Sequence, residues 1–265
     1  MEVCKNLLKE WRCDIVYLQE TKISSVNSAV LCSLSSSPFT NWVVLDVVQT
    51  SWRGGGGLLL WDKQVVEKID VSVGQFSVSV LLRGVLDGFK WVCTGIYGPN
   101  ANPHRATLWE ELLKVRTRWN KAWFLFDDFN IIRYPCKRLG CDSFSLTMFA
   151  FSYFIENNFL VDLPLDGASF TWFRDFEPKS MSHIDKTLVS AEWEDHFGNV
   201  SQRVLPRVIS DHCLLLVETG GVGRGHCAFK FKNMWLKVEG FVEKVQQWWN
   251  NYCFVGSQAL YWLRN

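Results

Sequence analysis

Four short polar clusters each interrupt an apolar run, and no other feature restricts the possible folds as much. They are Gln19-Glu20, Asp128-Phe129-Asn130, Ile184-Asp185 and Ser210-Asp211-His212. The adjoining runs 14–18, 122–126 and 213–217 read as buried strands. A carboxylate at the end of such a strand must be exposed at the rim, paired, or bound to a cation. Strand ends that carry carboxylates, an amide and one imidazole point to a single hard-cation site.

The chain of 265 residues has room for one large domain or two small ones. At 48% apolar residues it sustains a substantial core, which excludes global disorder. The 14 Trp and 19 Phe suit sheet-on-sheet packing, but rings also stack on bases, so their number leaves both uses open. With 28 basic and 27 acidic residues the net charge is +1, so any polyanion partner needs a local basic patch. Arg116, Arg118 and Lys121, then Arg133, Lys137 and Arg138, are the candidates; a solvated face is the ordinary alternative. Nine cysteines without a C-x-x-C, and no histidine at zinc-finger spacing after Cys136 and Cys141, fit a reducing compartment. The charged, amphipathic start over 1–12 is no signal peptide, and no run is long enough to cross a bilayer, so no membrane partner is expected.

Val3, Leu7, Leu8 and Trp11 lie at helical spacing. Further helices are expected over 26–35, 105–120 and 144–157. Short strands are expected at 14–18, 42–45, 57–61, 65–71, 75–83, 90–97, 123–126, 170–173 and 214–217. Val78, Val80 and Leu82 alternate with Ser77, Ser79 and Leu81, the pattern of a half-buried strand. Many short strands with a few helices predict an α+β sandwich with helices outside. The Gly220–Gly225 stretch reads as a linker. The boundaries are therefore a domain over 1–218, a linker over 219–228, and the start of something else over 229–265.

Asp128 and Asn130 straddle Phe129, so an extended segment points both to one face. They offer a charged and a neutral oxygen ligand, and an amide donor for a phosphate oxygen; a strand-closing Asx turn is the alternative. Oxygen ligands of this kind suit Mg²⁺ or Mn²⁺. His212 either polarises a phosphoryl group or acts as general base, with Asp185 the candidate that orients it. A surface histidine is the alternative for His212, and is the reading for His104, His183, His196 and His226. The Tyr97 phenol either bonds a phosphate oxygen or is simply buried. Gly54–Gly57 is not a phosphate loop, since no Lys-Ser/Thr and no helix follow; close backbone approach or a flexible turn explains it better.

In this order the clusters, with Gln19-Glu20-Thr21 and Tyr97-Gly98-Pro99, resemble the endonuclease/exonuclease/phosphatase superfamily over roughly residues 1–218. Gly55–Trp61, Phe170-Thr171-Trp172 and Ser182–Lys186 with Trp193 are most similar to the endonuclease domain of plant LINE-type (non-LTR) retrotransposons. Phe231–Trp235 resembles the connector toward a reverse transcriptase in such elements. The resemblance implies a DNase I-like four-layer α/β sandwich: two packed mixed sheets with outer helices. It implies a metal-dependent DNA endonuclease that nicks one strand in the nucleus, with DNA as partner and Mg²⁺ (or Mn²⁺) as cofactor. Glu20 and Asp211 would hold the metal. Asp128 and Asn130 would position and activate the water, His212 oriented by Asp185 would serve the phosphate, and Tyr97 would steady it. Thr171-Trp172 falls in a loop the family uses near its substrate, where packing is the alternative. No protein partner is implied.

Three departures qualify the expectation. No equivalent of the family's first, Asn-bearing strand stands before Glu20, so a sandwich lacking that strand is expected. Asp127 stands where the family usually has Gly, adding a like charge at a crowded turn. His183 replaces a residue often basic in relatives. An inactive remnant of the domain, with at most weak nucleic-acid binding, and a phosphoinositide or other phosphoester phosphatase are the competing expectations.

Overall fold

The computed structural model describes residues 2–11, 13–19, 40–45, 56–174, 179–207, 210–220 and 240–251. Glu20, the helix expected over 26–35, Gly54, Gly55 and Phe231–Trp235 lie outside the described residues. The chain divides into two compact units, Met1–Cys227 and Ala228–Asn265.

In the first unit, helix α1 (Glu2–Trp11) precedes strands β1 (Ile15–Leu18), β2 (Thr40–Leu45), β3 (Gly57–Asp62), β4 (Val66–Val73), β5 (Ser77–Gly84) and β6 (Lys90–Tyr97). Helix α2 (Arg105–Trp119), strand β7 (Ala122–Asp128) and helix α3 (Leu146–Asn157) follow. Next come β8 (Leu160–Asp162), β9 (Leu165–Asp166), β10 (Trp172–Arg174), β11 (Ser180–Ser182) and β12 (Asp185–Ser190). Helix α4 (Ala191–Phe197), β13 (Ser201–Leu205) and β14 (Leu214–Glu218) complete it. The second unit contains helix α5 (Phe241–Asn251). Among the described residues no helix is long and apolar enough to cross a membrane.

The fold is α+β, as expected. A six-stranded mixed sheet has the order β4-β5-β6-β7-β12-β8, with β6 and β7 parallel. Opposite it lie two three-stranded sheets, β1-β3-β2 and β14-β13-β9. One core joins the layers: Leu59 and Trp61 of β3 pack with Val78, Val80, Cys93 and Val189 of the large sheet. The large sheet's other face packs under α2 and α3, where Leu108, Leu112, Phe151 and Ile155 meet Trp123 and Leu125. Among the described residues β1 and β14 each pair on one side only.

Helix boundaries follow side-chain chemistry. Ser145 caps α3 by accepting from the Met148 N–H at 3.3 Å. Asn120 closes α2 at φ 40°, a left-handed value that asparagine tolerates, and its N–H reaches the Arg116 carbonyl.

Two local expectations are corrected. Strand β5 is not half-buried, because helices cover the face carrying Ser77 and Ser79, which are 2% and 0% exposed. The serine becomes tolerable through a hydrogen-bond chain: Ser79 Oγ and Thr94 Oγ1 are 2.9 Å apart, and Trp123 Nε1 donates to Thr94 at 2.9 Å. His183 is not at the surface but 2% exposed, and neither ring nitrogen has a partner among the described residues. Burial first, then Lys186 and Lys137, push its pKa down to about 3, so it carries no charge toward a phosphate. Gly57 bears out close approach: a Cβ there, or on Gly95, would collide with the Tyr17 ring.

Candidate functional site

The site forms where the end of β7 lies beside the start of β12. Antiparallel register sets Asp128 opposite Asp185, and the parallel register of β6 sets Tyr97 on the other side of Asp128. Both aspartates are 2% exposed, so the backbone ladder itself delivers two buried carboxylates to one point. Phe129 anchors the turn beyond β7 in the helix-side core, and its N–H bonds the Ile184 carbonyl at 3.2 Å.

Asp128 and Asn130 do come together, but not by extended alternation. Asn130 has φ 52°, and this left-handed turn folds it back over Asp128. Its backbone N–H donates to Asp128 Oδ1 at 2.7 Å and its Nδ2 to Oδ2 at 2.6 Å. Nδ2 also donates to the Gly98 carbonyl at 2.8 Å. An amide has two donor hydrogens. Both are engaged, so the expected donor to a phosphate oxygen is spent and the amide oxygen is what Asn130 has to offer.

The imidazole comes from the opposite layer. His212 bridges to Trp172 of β10, with Phe173 N–H on the Asp211 carbonyl at 2.9 Å and Cys213 N–H on the Thr171 carbonyl at 2.7 Å. Its Nδ1 lies 2.9 and 3.0 Å from the two Asp185 oxygens. Burial opposes charge on this ring. The Asp185 hydrogen bond and charge, with Asp128 and Asp211, outweigh it and raise the pKa to about 9. The uncompensated carboxylates thus favour the charged ring, with Nε2 as the ring atom that Asp185 leaves for other chemistry. Thr171 stitches the layers: its Oγ1 accepts from the Ile184 and Asp185 N–H groups at 3.2 and 3.1 Å.

Asp211 is not brought into this cluster. Its Oδ2 accepts from Trp172 Nε1 at 2.8 Å, which assigns the aromatic a packing and holding role. Gln19, the residue before Glu20, donates from Nε2 to the Ile96 carbonyl at 2.8 Å, so the end of β1 reaches the site.

Ligand atoms of Asp128, Asp185 and His212 lie within 4.8 Å of one another. The two carboxylates are oxygen donors that a divalent cation accepts, whereas a protonated His212 only donates and stands beside that pair rather than ligating. Asp127 sets a third carboxyl beside the pair. Burial, then Asp185 and Asp128, hold its carboxyl well above the usual range, with His212 and a Gln19 hydrogen bond opposing. The like charges of the pair favour a cation, so the residues present fit one. Asp127 has φ 94°, a conformation suited to glycine and strained for any side chain.

Sequence reasoning missed Arg105. This arginine, 8% exposed at the start of α2, donates to the Phe129 carbonyl at 3.3 Å and the Asn130 carbonyl at 2.7 Å. It thereby fixes the turn that carries Asp128 and Asn130. A lone cation opening a helix just after Tyr97-Gly98-Pro99 was the only available signal.

No family model and no curated protein matches the chain. Solved structures do. The endonuclease domain of TRAS1, a telomere-specific non-LTR retrotransposon, superposes with TM-score 0.62 at 14% identity, covering 83% of this chain and 91% of that one. The AP endonuclease LMAP from Leishmania major gives 0.61 at 14% identity, with 81% and 80% covered. An endonuclease/exonuclease/phosphatase family protein from Bacteroides thetaiotaomicron gives 0.56 at 17% identity, with 82% and 87% covered. The likeness is one of fold: this chain has the DNase I-like architecture of endonuclease/exonuclease/phosphatase proteins.

Proposed function

We propose that this chain is a divalent-metal-dependent phosphodiester hydrolase that nicks one strand of DNA. A retroelement origin, with nuclear action, is part of the proposal. The observation that carries it is the convergence of Asp128, Asp185 and His212, with His212 Nδ1 held by Asp185. The fold shared with nucleases supports it, as does the Ser182–Lys186 stretch. A domain over 1–218 and a connector over 229–265 belong to the same proposal.

Asp185 would hold the cation, with Glu20 the further ligand that the sequence offers. A divalent cation supplies Lewis-acid polarisation of the phosphoryl oxygen. The chain's own residues do the rest. Asp185 fixes the imidazole so that protonated His212 donates to a phosphate oxygen as negative charge develops there. Asp128, held in place by Asn130, receives the proton of the attacking water. Arg105 and Thr171 keep the two carboxylates in register. The strained Asp127, crowding that pair, favours a second reading in which the domain is catalytically silent.

Supercoiled plasmid decides between them. The full chain with Mg²⁺ or Mn²⁺ is expected to convert it to the relaxed form, and EDTA to stop the reaction. Asp185→Ala and His212→Ala are each expected to lower the rate on the order of 10²–10³-fold. No relaxation, or equal relaxation by all three proteins, supports the silent remnant.

A further inference from the structure

We propose that Tyr134, Phe144 and Phe149, with the cations of the 133–138 loop, form a stacking surface for unpaired bases of a nucleic-acid strand that runs past the site. The location rests on the nuclease reading; the binding chemistry does not. Helix α3 is apolar on two faces. Met148, Phe151, Phe154 and Ile155 fill the core, yet Leu146, Phe149 and Tyr153 on the other side are 87%, 57% and 69% exposed. Phe149 stacks on Phe144 with centroids 5.3 Å apart and 25° between planes. Tyr134 meets Phe144 edge-on at 6.5 Å. Phe144 is itself 53% exposed, so these rings pre-form an aromatic platform in water rather than completing the core.

The charge beside the platform favours a polyanion. Lys137 and Arg138 supply the cations here; the Arg133 guanidinium sits 5.1 Å from the Tyr134 ring centroid but is 15% exposed and paired with Asp162 at 3.6 Å, and Asp142 is the one acid between this loop and Phe144. A second copy meeting this face through two-fold symmetry would set the basic loop against itself. The surface is also tied to the site. His183 N–H bonds the Lys137 carbonyl at 2.8 Å, Leu139 N–H the Met181 carbonyl at 2.9 Å, and Arg138 Nε the Ser182 hydroxyl at 3.0 Å. Asp185 follows in the same segment. A duplex hides its base faces, so rings beside cations select bases that are already unstacked.

The test is fluorescence anisotropy with the full chain in EDTA, so that no cleavage is needed. The probes are a single-stranded oligonucleotide, its duplex, and a single strand of abasic spacers. Phe144→Ala and Phe149→Ala are each expected to weaken the ordinary single strand roughly five- to a hundredfold, leaving the abasic strand and the salt dependence unchanged. Lys137→Ala with Arg138→Ala is expected to weaken all three probes and flatten the salt dependence. Equal loss on ordinary and abasic strands, or no loss, overturns the proposal. So does self-association of the wild type, seen by light scattering and abolished by Phe149→Ala, with oligonucleotide binding unchanged. Ring-dependent binding without plasmid nicking sinks the nuclease reading and sustains the stacking surface. Nicking with ring-independent binding does the reverse.

Discussion

The two layers of the sandwich hold their functional groups by different means. The six-stranded sheet delivers Asp128 and Asp185 through main-chain register, from central strands buried on both faces. The opposing layer is thinner: every residue of β1 is half-buried, and β14 is exposed at both ends. His212 reaches the site from there with its side chain 26% exposed, kept in place by Asp185, by a bridge to Trp172, and through the Trp172–Asp211 hydrogen bond. The carboxylate pair is thus as rigid as the sheet, whereas the imidazole depends on side chains that can be removed one at a time. The placement of the imidazole can therefore be altered without unfolding the large sheet.

The largest contrast is in packing. Phe151 is fully buried against Phe129 and Trp109. Phe151→Ala is expected to cost about 3–5 kcal/mol of unfolding free energy in urea. Val217→Ala, on half-buried β14, is expected to cost roughly 1 kcal/mol. Equal costs would contradict the difference between layers. Thr171→Val comes next, because it keeps the shape but removes the acceptor of two buried N–H groups. A loss of about 1–3 kcal/mol is expected, together with slower nicking. Trp172→Phe sharpens the point from the other side. It deletes the hydrogen bond to Asp211 and keeps an aromatic side chain at a half-buried position, so stability should move by under about 1 kcal/mol. Nicking should fall roughly tenfold, equivalent to about 1.4 kcal/mol in the barrier. A Trp172→Phe protein that nicks normally would free the imidazole from that support.

The same division explains what was legible in the sequence. Strands β3, β6 and β7 announced themselves because runs such as Gly57–Trp61 and Trp123–Phe126 are apolar throughout. Strand β12 did not. No strand was expected over 185–190, where Asp185-Lys186-Thr187 and Ser190 leave only two apolar residues, yet all six residues of β12 are buried. Lys186, 1% exposed, reaches Asp162 at 3.5 Å, and Ser190 Oγ accepts from the Trp123 N–H at 2.9 Å. Tertiary partners turn that polar segment into a central strand, and no local pattern encodes them. The members Asp128, Asp185 and His212 were legible as residue types next to apolar runs. Asp211 facing Trp172, Asn130 with both amide hydrogens engaged, and Arg105 under the Phe129–Asn130 turn depend on dihedral angles and cross-layer contacts.

Asp127 carries a small predicted effect and tests the rigidity of the large sheet most directly. Its φ of 94° lies where only glycine sits without strain, and β7 keeps its register through Asp128 regardless. The sheet therefore imposes the conformation and the side chain bears it. Asp127→Gly removes that strain and one crowded carboxyl, at the loss of a hydrogen bond with Gln19 and some backbone freedom in the unfolded chain. Strain of this kind costs roughly 1–3 kcal/mol. The net expectation is a gain of about 1 kcal/mol in urea unfolding, with Asp127→Ala showing none, because alanine keeps the forbidden Cβ. If alanine stabilises as much as glycine, charge crowding rather than backbone strain is what Asp127 contributes. The carboxylate pair would then be held less tightly by main-chain register than its burial indicates.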